Sequence, residues 1–237
     1  MTLNELISAI ALTPIDPAVG GVEVHRITAD SRRVQTGDIF VAIKGKAHDG
    51  HDYLQAVIEA GAAAVLGERS PDQVNLPIPY VQIDQPHRRL GLAAHELAGN
   101  PSRSMRVTGV TGTNGKSSTV IMARSVLNAC GRKAAAFGTL GYTVGDETIP
   151  APHTTPFGED LADMFVRARD AGCTDVVMEV SSHALEQDRV AGINFNVGVF
   201  TNLTQDHLDY HQSMERYCAA KLELFARIQG PDAFTVV

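Results

Sequence analysis

Residues 109–120, GVTGTNGKSSTV, put glycines, one lysine and paired serines between a short apolar run and a helical pattern that closes at Gly131. Glycines let backbone N–H groups turn inward around an anion, Lys116 adds a full positive charge, and Ser117 can offer its hydroxyl to Mg²⁺, all at a helix N-terminus. That is the chemistry of holding a nucleotide's phosphates. The strict G-x-x-x-x-G-K-[ST] phosphate-loop pattern is not met, because Val110 stands five places before Gly115. The stretch Gly112, Thr113, Asn114, Gly115, Lys116, Ser117, Ser118 is a variant of it. The competing reading is a glycine-rich turn that binds nothing.

A phosphate loop needs metal ligands on neighbouring strand ends. Glu179 follows Val176, Val177 and Met178 at the C-terminal end of an apolar run, the edge of an open α/β sheet where ligands collect. A carboxylate there can hold Mg²⁺ directly or through water, or it can merely cap the next turn. Three histidines come close behind: His183 in SSHALEQDR, and His207 and His211 in TQDHLDYH. Each alone reads as a hydrogen-bonding loop residue, and only the cluster argues for a site.

Lys221, in YCAAKLELF, is the least expected of these residues. It shares three- and four-residue steps with Met214, Tyr217, Leu224 and Ile228, the spacing of a buried helical stripe. Full burial lowers a lysine pKa by up to roughly 3–5 units and exposes a reactive neutral amine. The alternative is a lysine at the stripe's edge whose ammonium snorkels into water.

These residues need a scaffold, and the strand and helix signals supply one. DIFVAI at 38–43 reads as a strand and 52–60 as a helix stopped by Gly61, with extended runs at 63–66 and 80–83 and a helix over 88–98. GNPS at 99–102 marks a domain boundary near Pro101, giving domains 1–100 and 101–237. Beyond it RVTGV, KAAAF, TDVVMEV and FNVGVF are apolar strands separated by helices, which predicts a mostly parallel sheet covered on both faces. The fold class is therefore α/β, a small α/β domain followed by a phosphate-loop sheet domain. The closing AFTVV reads as a further strand begun without what should follow, as in a fragment.

With 237 residues, 44% of them hydrophobic, the chain can bury a substantial core. Net charge is −7 with the signs interspersed, so no basic stripe suits nucleic acid or an anionic membrane. Three cysteines without a CxxC pair read as free thiols, and neither a signal peptide nor an 18-residue apolar run is evident. A cytoplasmic protein is expected.

In this order, TGTNGKSS, HTTP at 153–156, MEVSSHAL at 178–185, TNLTQDHLDYH at 201–211 and AAKLELF resemble the Mur ligases. ADSRRVQTGDIFVAIKGKAHDG at 29–50 is similar to that family's N-terminal UDP-binding domain, so the resemblance runs essentially end to end. It implies an ATP-dependent amide ligase of peptidoglycan precursor synthesis. Among family members the likeness is to those that add the third amino acid, meso-diaminopimelate or L-lysine, to UDP-N-acetylmuramoyl-L-alanyl-D-glutamate through an acyl phosphate; meso-diaminopimelate is the expectation.

Carried over residue by residue, the resemblance implies ATP at Gly112 to Ser118, with Lys116 on the transferred phosphate and Asn202 near the nucleotide. Ser117 and Glu179 would share one Mg²⁺, and His207 and Lys221, carrying CO₂ as a carbamate, a second. Ala29, Ser31 and the turn Lys46, Ala47, His48 would contact the uridine-diphosphate end of the substrate. His153, Thr154, Thr155, Ser181, Gln187 and Arg189 would hold the muramoyl-dipeptide, Arg189 by its bidentate fork. A monomer is implied, weak or inactive without the family's C-terminal domain. Other readings are another Mur-type ligase, a folylpolyglutamate synthetase, against which DSRRV and MEVSSHAL speak, or a nucleotide-binding module that never catalyses.

Overall fold

One parallel and one mostly parallel sheet carry the described residues of the computed structural model, 1–45, 48–151, 153–231 and 233–237. Each belongs to its own unit, Met1–Gly99 or Asn100–Val237. No helix among the described residues is long and apolar enough to cross a membrane.

The first unit starts with α1 (Leu3–Ala9), which Thr2 and Glu5 fix by a reciprocal capping box, and a short α2 (Pro17–Gly20). Strands β1 (Arg26–Thr28), β2 (Asp38–Ala42), β3 (Ala64–Gly67) and β4 (Tyr80–Gln82) form one parallel sheet in sequence order. The helices α3 (Leu54–Glu59) and α4 (Pro86–Leu97) complete it. β2 is buried along its whole length, which is why its sequence is a continuous apolar run after Asp38. Asp38 is only 3% exposed, and its burial is balanced by the Arg26 guanidinium at 2.6 Å and the Gln35 N–H at 2.8 Å. The helix anticipated over 52–60 begins instead as a 3-10 turn, Gly50–Tyr53, because the Asp49 carboxylate caps the His51 N–H.

Among the described residues the second unit holds seven strands: β5 (Arg106–Thr111), β6 (Ala134–Gly138), β7 (Gly141–Val144), β8 (Glu147–Ile149), β9 (Asp175–Glu179), β10 (Val197–Phe200) and β11 (Phe234–Val236). Their spatial order is β11-β10-β5-β9-β6-β7-β8, parallel except for the β6-β7-β8 edge. That antiparallel edge was not anticipated from the sequence. α5 (Lys116–Ala129) covers one face, where Val110, Val120, Ala136 and Val177 pack together. α6 (Gly158–Asp170), α7 (Ser182–Glu186) and α9 (Met214–Ala226) contribute to the opposite core with Phe137, Phe165, Met178, Phe195 and Leu224, and a single turn, α8 (Leu208–His211), precedes α9. Alternation along β9 sends Val176 and Met178 to one core and Val177 to the other. Gly109 allows α9 to lie against β5: a Cβ there would sit 2.8 Å from Leu224 Cδ1.

Candidate functional site

The central strand β5 delivers the glycine-rich loop expected to hold phosphates. Strand and helix leave only 112–115 between them, and Gly112 and Gly115 take φ of +138° and +86°, values that favour glycine. No side chain caps the N-terminus of α5, so the first turn's N–H groups remain turned to the space above the sheet edge. Lys116 Nζ is folded back on the loop and donates to the carbonyls of Gly112 at 3.0 Å and Thr113 at 2.9 Å.

Glu179 ends β9, next to β5, and is 2% exposed. Ser117 Oγ donates to its Oε1 at 2.8 Å, the Thr139 N–H donates to the same oxygen at 2.8 Å, and Thr139 Oγ1 reaches Oε2 at 3.3 Å. Glu179 is thus not the cap of the following turn; Ser181 takes that role, accepting from the Ala184 N–H at 3.2 Å. Gly138 makes room for the carboxylate, since a Cβ there would lie 2.2 Å from Oε1. Among the described residues no group of three or more His, Cys, Asp or Glu could by itself hold a metal. A serine hydroxyl in contact with a carboxylate is nevertheless a hard oxygen pair of the kind Mg²⁺ prefers, so the residues present fit that ion.

Lys221 is 2% exposed, so its ammonium does not snorkel. α9 points it inward along with Tyr217 and Leu224, and Nζ donates to the Gly112 carbonyl at 2.8 Å while lying 4.3 Å from the Tyr217 ring centroid. Burial first, and the nearby Lys116 charge second, bring its pKa down to about 8. Met214 is only partly buried and Ile228 lies past the end of α9, bridged to Phe195, so the stripe's two ends do not share this environment.

The three histidines do converge. The His183 ring lies 4.9 Å from His207 and 5.3 Å from His211, and the His207 ring lies 6.2 Å from Tyr217. Burial, then the neighbouring histidines, hold His183 below the ordinary histidine range. His211 is buried, pairs with Ser182 Oγ at 2.9 Å and Glu186 at 3.0 Å, and so serves packing, whereas His207 is exposed enough to reach a ligand.

A second group adjoins Glu179. Thr155 Oγ1 donates to the Glu179 carbonyl at 3.0 Å and accepts from the Ser181 N–H at 3.1 Å; Thr154 Oγ1 meets Thr139 Oγ1 at 3.0 Å. Arg189 donates to Gln187 Oε1 at 2.8 Å and to the Thr155 carbonyl at 3.3 Å, with its guanidinium 4.2 Å above the Phe157 ring. Gln187 donates onward to the Tyr210 hydroxyl at 3.1 Å. Tyr142 donates to the His153 carbonyl, and the His153 ring stands edge-on to Phe157 at 5.4 Å. Tyr142, Phe157 and Tyr210 were not singled out from the sequence, where isolated aromatics read as core.

In the first unit, Ala29 and Ser31 follow β1, and His48 lies in the loop after β2; the two strands are parallel neighbours, so both loops leave the same sheet edge. Lys46 and Ala47 lie outside the described residues. The Gly45 N–H donates to the His48 carbonyl at 2.9 Å. Next to His48, the Asp49 carboxylate, its pKa lowered to about 2 by the His51 N–H and then by the His51 ring and Arg69 against the opposing effect of burial, binds His51 Nδ1 at 2.7 Å and Arg69 at 2.9 Å.

Comparison with known proteins adds an independent finding. Residues 110–237 match the Mur ligase middle domain, and residues 23–96 match the Mur ligase family, catalytic domain. UDP-N-acetylmuramoyl-L-alanyl-D-glutamate--2,6-diaminopimelate ligase of Geobacter metallireducens is 45% identical over 222 residues, covering 92% of this chain and 43% of the relative. The enzyme of the same name from Chlorobium phaeobacteroides is 42% identical, covering 100% and 46%. A solved structure of an enzyme of that name superposes with a TM-score of 0.83 at 27% identity, covering 96% of this chain and 45% of that one. A MurF ligase from Thermotoga maritima in complex with ADP gives 0.60 at 26% identity, covering 90% and 45%. The chain therefore spans under half the length of these relatives.

Proposed function

The chain belongs to the Mur ligase family, and on that premise we propose that the protein is an ATP-dependent ligase that joins meso-diaminopimelate to UDP-N-acetylmuramoyl-L-alanyl-D-glutamate in the cytoplasm, as a monomer, in building peptidoglycan. The observation that carries this reading is the contact of Ser117 with Glu179 beneath a glycine loop at the N-terminus of α5, beside a buried lysine. The amide's formation requires the D-glutamyl carboxylate to take the γ-phosphate of ATP and the resulting acyl phosphate to be attacked by the incoming amine. Two anions must be brought together, so positioned cations and donors supply most of the catalysis.

Each part of the site suits a part of that task. The loop Gly112 to Ser118 binds the phosphates through those of its N–H groups that Asn202 does not already hold, and Lys116 leaves the loop carbonyls to follow the transferred group. Asn202 lies beside the nucleotide's loop. Ser117 and Glu179 would hold one Mg²⁺, and His207 with Lys221 a second; bound there, the metal would neutralise charge on the phosphate and carboxylate oxygens. For Lys221 to serve, its neutral amine must add CO₂: the new N–C bond forms, one proton leaves to water, and a carbamate anion replaces the cation. Burial keeps part of the lysine in that neutral state near neutral pH. His153, Thr154, Thr155, Ser181, Gln187 and Arg189 receive the muramoyl-dipeptide, while Ala29, Ser31 and the turn Lys46, Ala47, His48 receive its uridine diphosphate.

Calorimetric titration with UDP-N-acetylmuramoyl-L-alanyl-D-glutamate, paired with the corresponding muramoyl-tripeptide, tests the substrate. Preferential binding of the dipeptide, weakened by Ser31→Ala and by Arg189→Ala, is expected. A folded chain that binds neither nucleotide sugar would sink the reading. Incubation with ¹³C-bicarbonate tests the modification: a carbamate carbon signal should appear in the wild-type chain and vanish in Lys221→Met.

A further inference from the structure

The tip of the phosphate loop is gripped from outside by residues 201–204, which follow β10. Asn202 meets Asn114 twice: the Asn114 N–H donates to Asn202 Oδ1 at 3.0 Å, and Asn202 Nδ2 donates to the Asn114 carbonyl at 3.0 Å. The side-chain amide thus pairs with the loop as a peptide unit of an adjacent strand would. Thr201 Oγ1 donates to that same carbonyl at 2.6 Å, and the Thr113 N–H donates to the Asn202 carbonyl at 2.9 Å. One residue back, Thr113 Oγ1 accepts from the Thr204 N–H at 3.0 Å and donates to the Thr204 carbonyl at 3.1 Å. Its single proton being used there, the Tyr217 hydroxyl at 3.2 Å must be the donor in their contact.

Two residues of this loop are glycines at positive φ, which give it freedom and no stiffness of its own. The direction of the Asn114 peptide must therefore be imposed by its neighbours. We infer that Asn202, seconded by Thr201, is a positioning residue for the nucleotide phosphates: it holds the Asn114 peptide, whose own N–H it occupies, and with it the lead into the uncapped first turn of α5, and it acts through the loop. Asn202 Oδ1 and Nδ2 each have a partner on Asn114, so the side chain is oriented by the loop itself. The inference rests on the loop being a nucleotide site, as proposed above.

The test uses the 237-residue chain with ADP and Mg²⁺ as the probe, and amide hydrogen exchange at residues 113–115 without nucleotide. Asn202→Ala should speed Asn114 exchange and weaken ADP binding, each on the order of tenfold, the effect of losing about one net hydrogen bond. Exchange within β5 and α5 should stay as in the wild type. Thr201→Val should move both readouts the same way, and Thr201→Ser, which restores the hydroxyl, should recover most of what Thr201→Val loses. Weaker ADP binding with unchanged Asn114 exchange would overturn the inference and make Asn202 a direct ligand. Faster exchange with unchanged affinity would overturn it too, leaving a purely structural contact. A wild-type chain with a protected Asn114 amide and no affinity for ADP would overturn the nucleotide reading, and the positioning role with it.

Discussion

Lys116 Nζ and Lys221 Nζ donate to one and the same carbonyl oxygen, that of Gly112, at 3.0 and 2.8 Å. Burial lowers the pKa of both, against the pull of Glu179 and Asp206 on Lys116, and for Lys221 the Lys116 charge adds to the effect. One acceptor therefore ties the loop's cation to the helix that carries the second lysine.

Stability should rise with pH between about 8 and 10.5 on account of Lys221. Its folded pKa of about 8 lies below the free value of 10.5, so in that window the unfolded chain binds more protons. The rise attributable to this group is about 3 kcal/mol. Urea midpoints at pH 7.5 and 10 should diverge in the wild type and lose that increment in Lys221→Met. Equal increments in the two proteins would mean that the ammonium is not held in a low-dielectric place.

Two glycine substitutions should damage the site by different routes. Gly112→Ala places a Cβ 2.0 Å from Thr201 Oγ1 at a φ of +138°, so it should cost about 1–3 kcal/mol in strain and abolish ADP binding. In Gly138→Ala the Cβ would lie 2.2 Å from Glu179 Oε1, in a conformation alanine can adopt. The carboxylate must then swing away from Ser117, so Mg²⁺ dependence of nucleotide binding should weaken more than the melting temperature falls. Unaltered Mg²⁺ dependence would remove Glu179 from that role.

Arg189→Lys should not substitute. The guanidinium binds Gln187 and the Thr155 carbonyl at once while lying over Phe157, and a single ammonium cannot do all three. Affinity for the muramoyl-dipeptide should drop about tenfold or more, with ADP affinity unchanged. A loss shared equally by both ligands would indicate a general disturbance instead.

The first unit should be acid-sensitive through His95. This residue of α4 is 0% exposed, and burial lowers its pKa to about 4 from 6.5. Between those values the unfolded chain binds more protons, so stability is intact above pH 6.5 and is lost as pH falls through the window, by up to about 3 kcal/mol. Exchange of the β2 and β3 amides, followed from pH 7 to 4.5, should show the loss, and His95→Leu should flatten it. An unchanged profile in that variant would assign the sensitivity to another group.

The strand, glycine loop and helix at 106–129 were legible because their residues are contiguous; β5 and α5 lie where the pattern puts them. Glu179 was legible from its place after an apolar run. The pieces that shape these residues were not. Thr139, with Gly138 beside it, supports Glu179 across 40 residues of sequence, and Thr204 and Tyr217 reach Thr113 across 91 and 104. Threonine and glycine at such separations leave no periodic trace. The buried ammonium of Lys221 was only one of two readings, since a stripe fixes which way α9 faces and not how deep it sits. The β7-β8 edge escaped because its short strands, with β8 largely exposed, lack the apolar runs that marked the parallel strands.

The span between Thr113 and Tyr217 also has a temporal meaning. At roughly 5–20 residues per second, a ribosome needs about 5–20 s to make the 104 residues that separate the loop from the tyrosine that anchors it. Until Asn202, then Thr204 and last Tyr217 have been made, Gly112 to Lys116 exist without the groups that hold Thr113 and Asn114 in place. The loop's geometry is thus completed long after its own residues, among the unit's first, have been made.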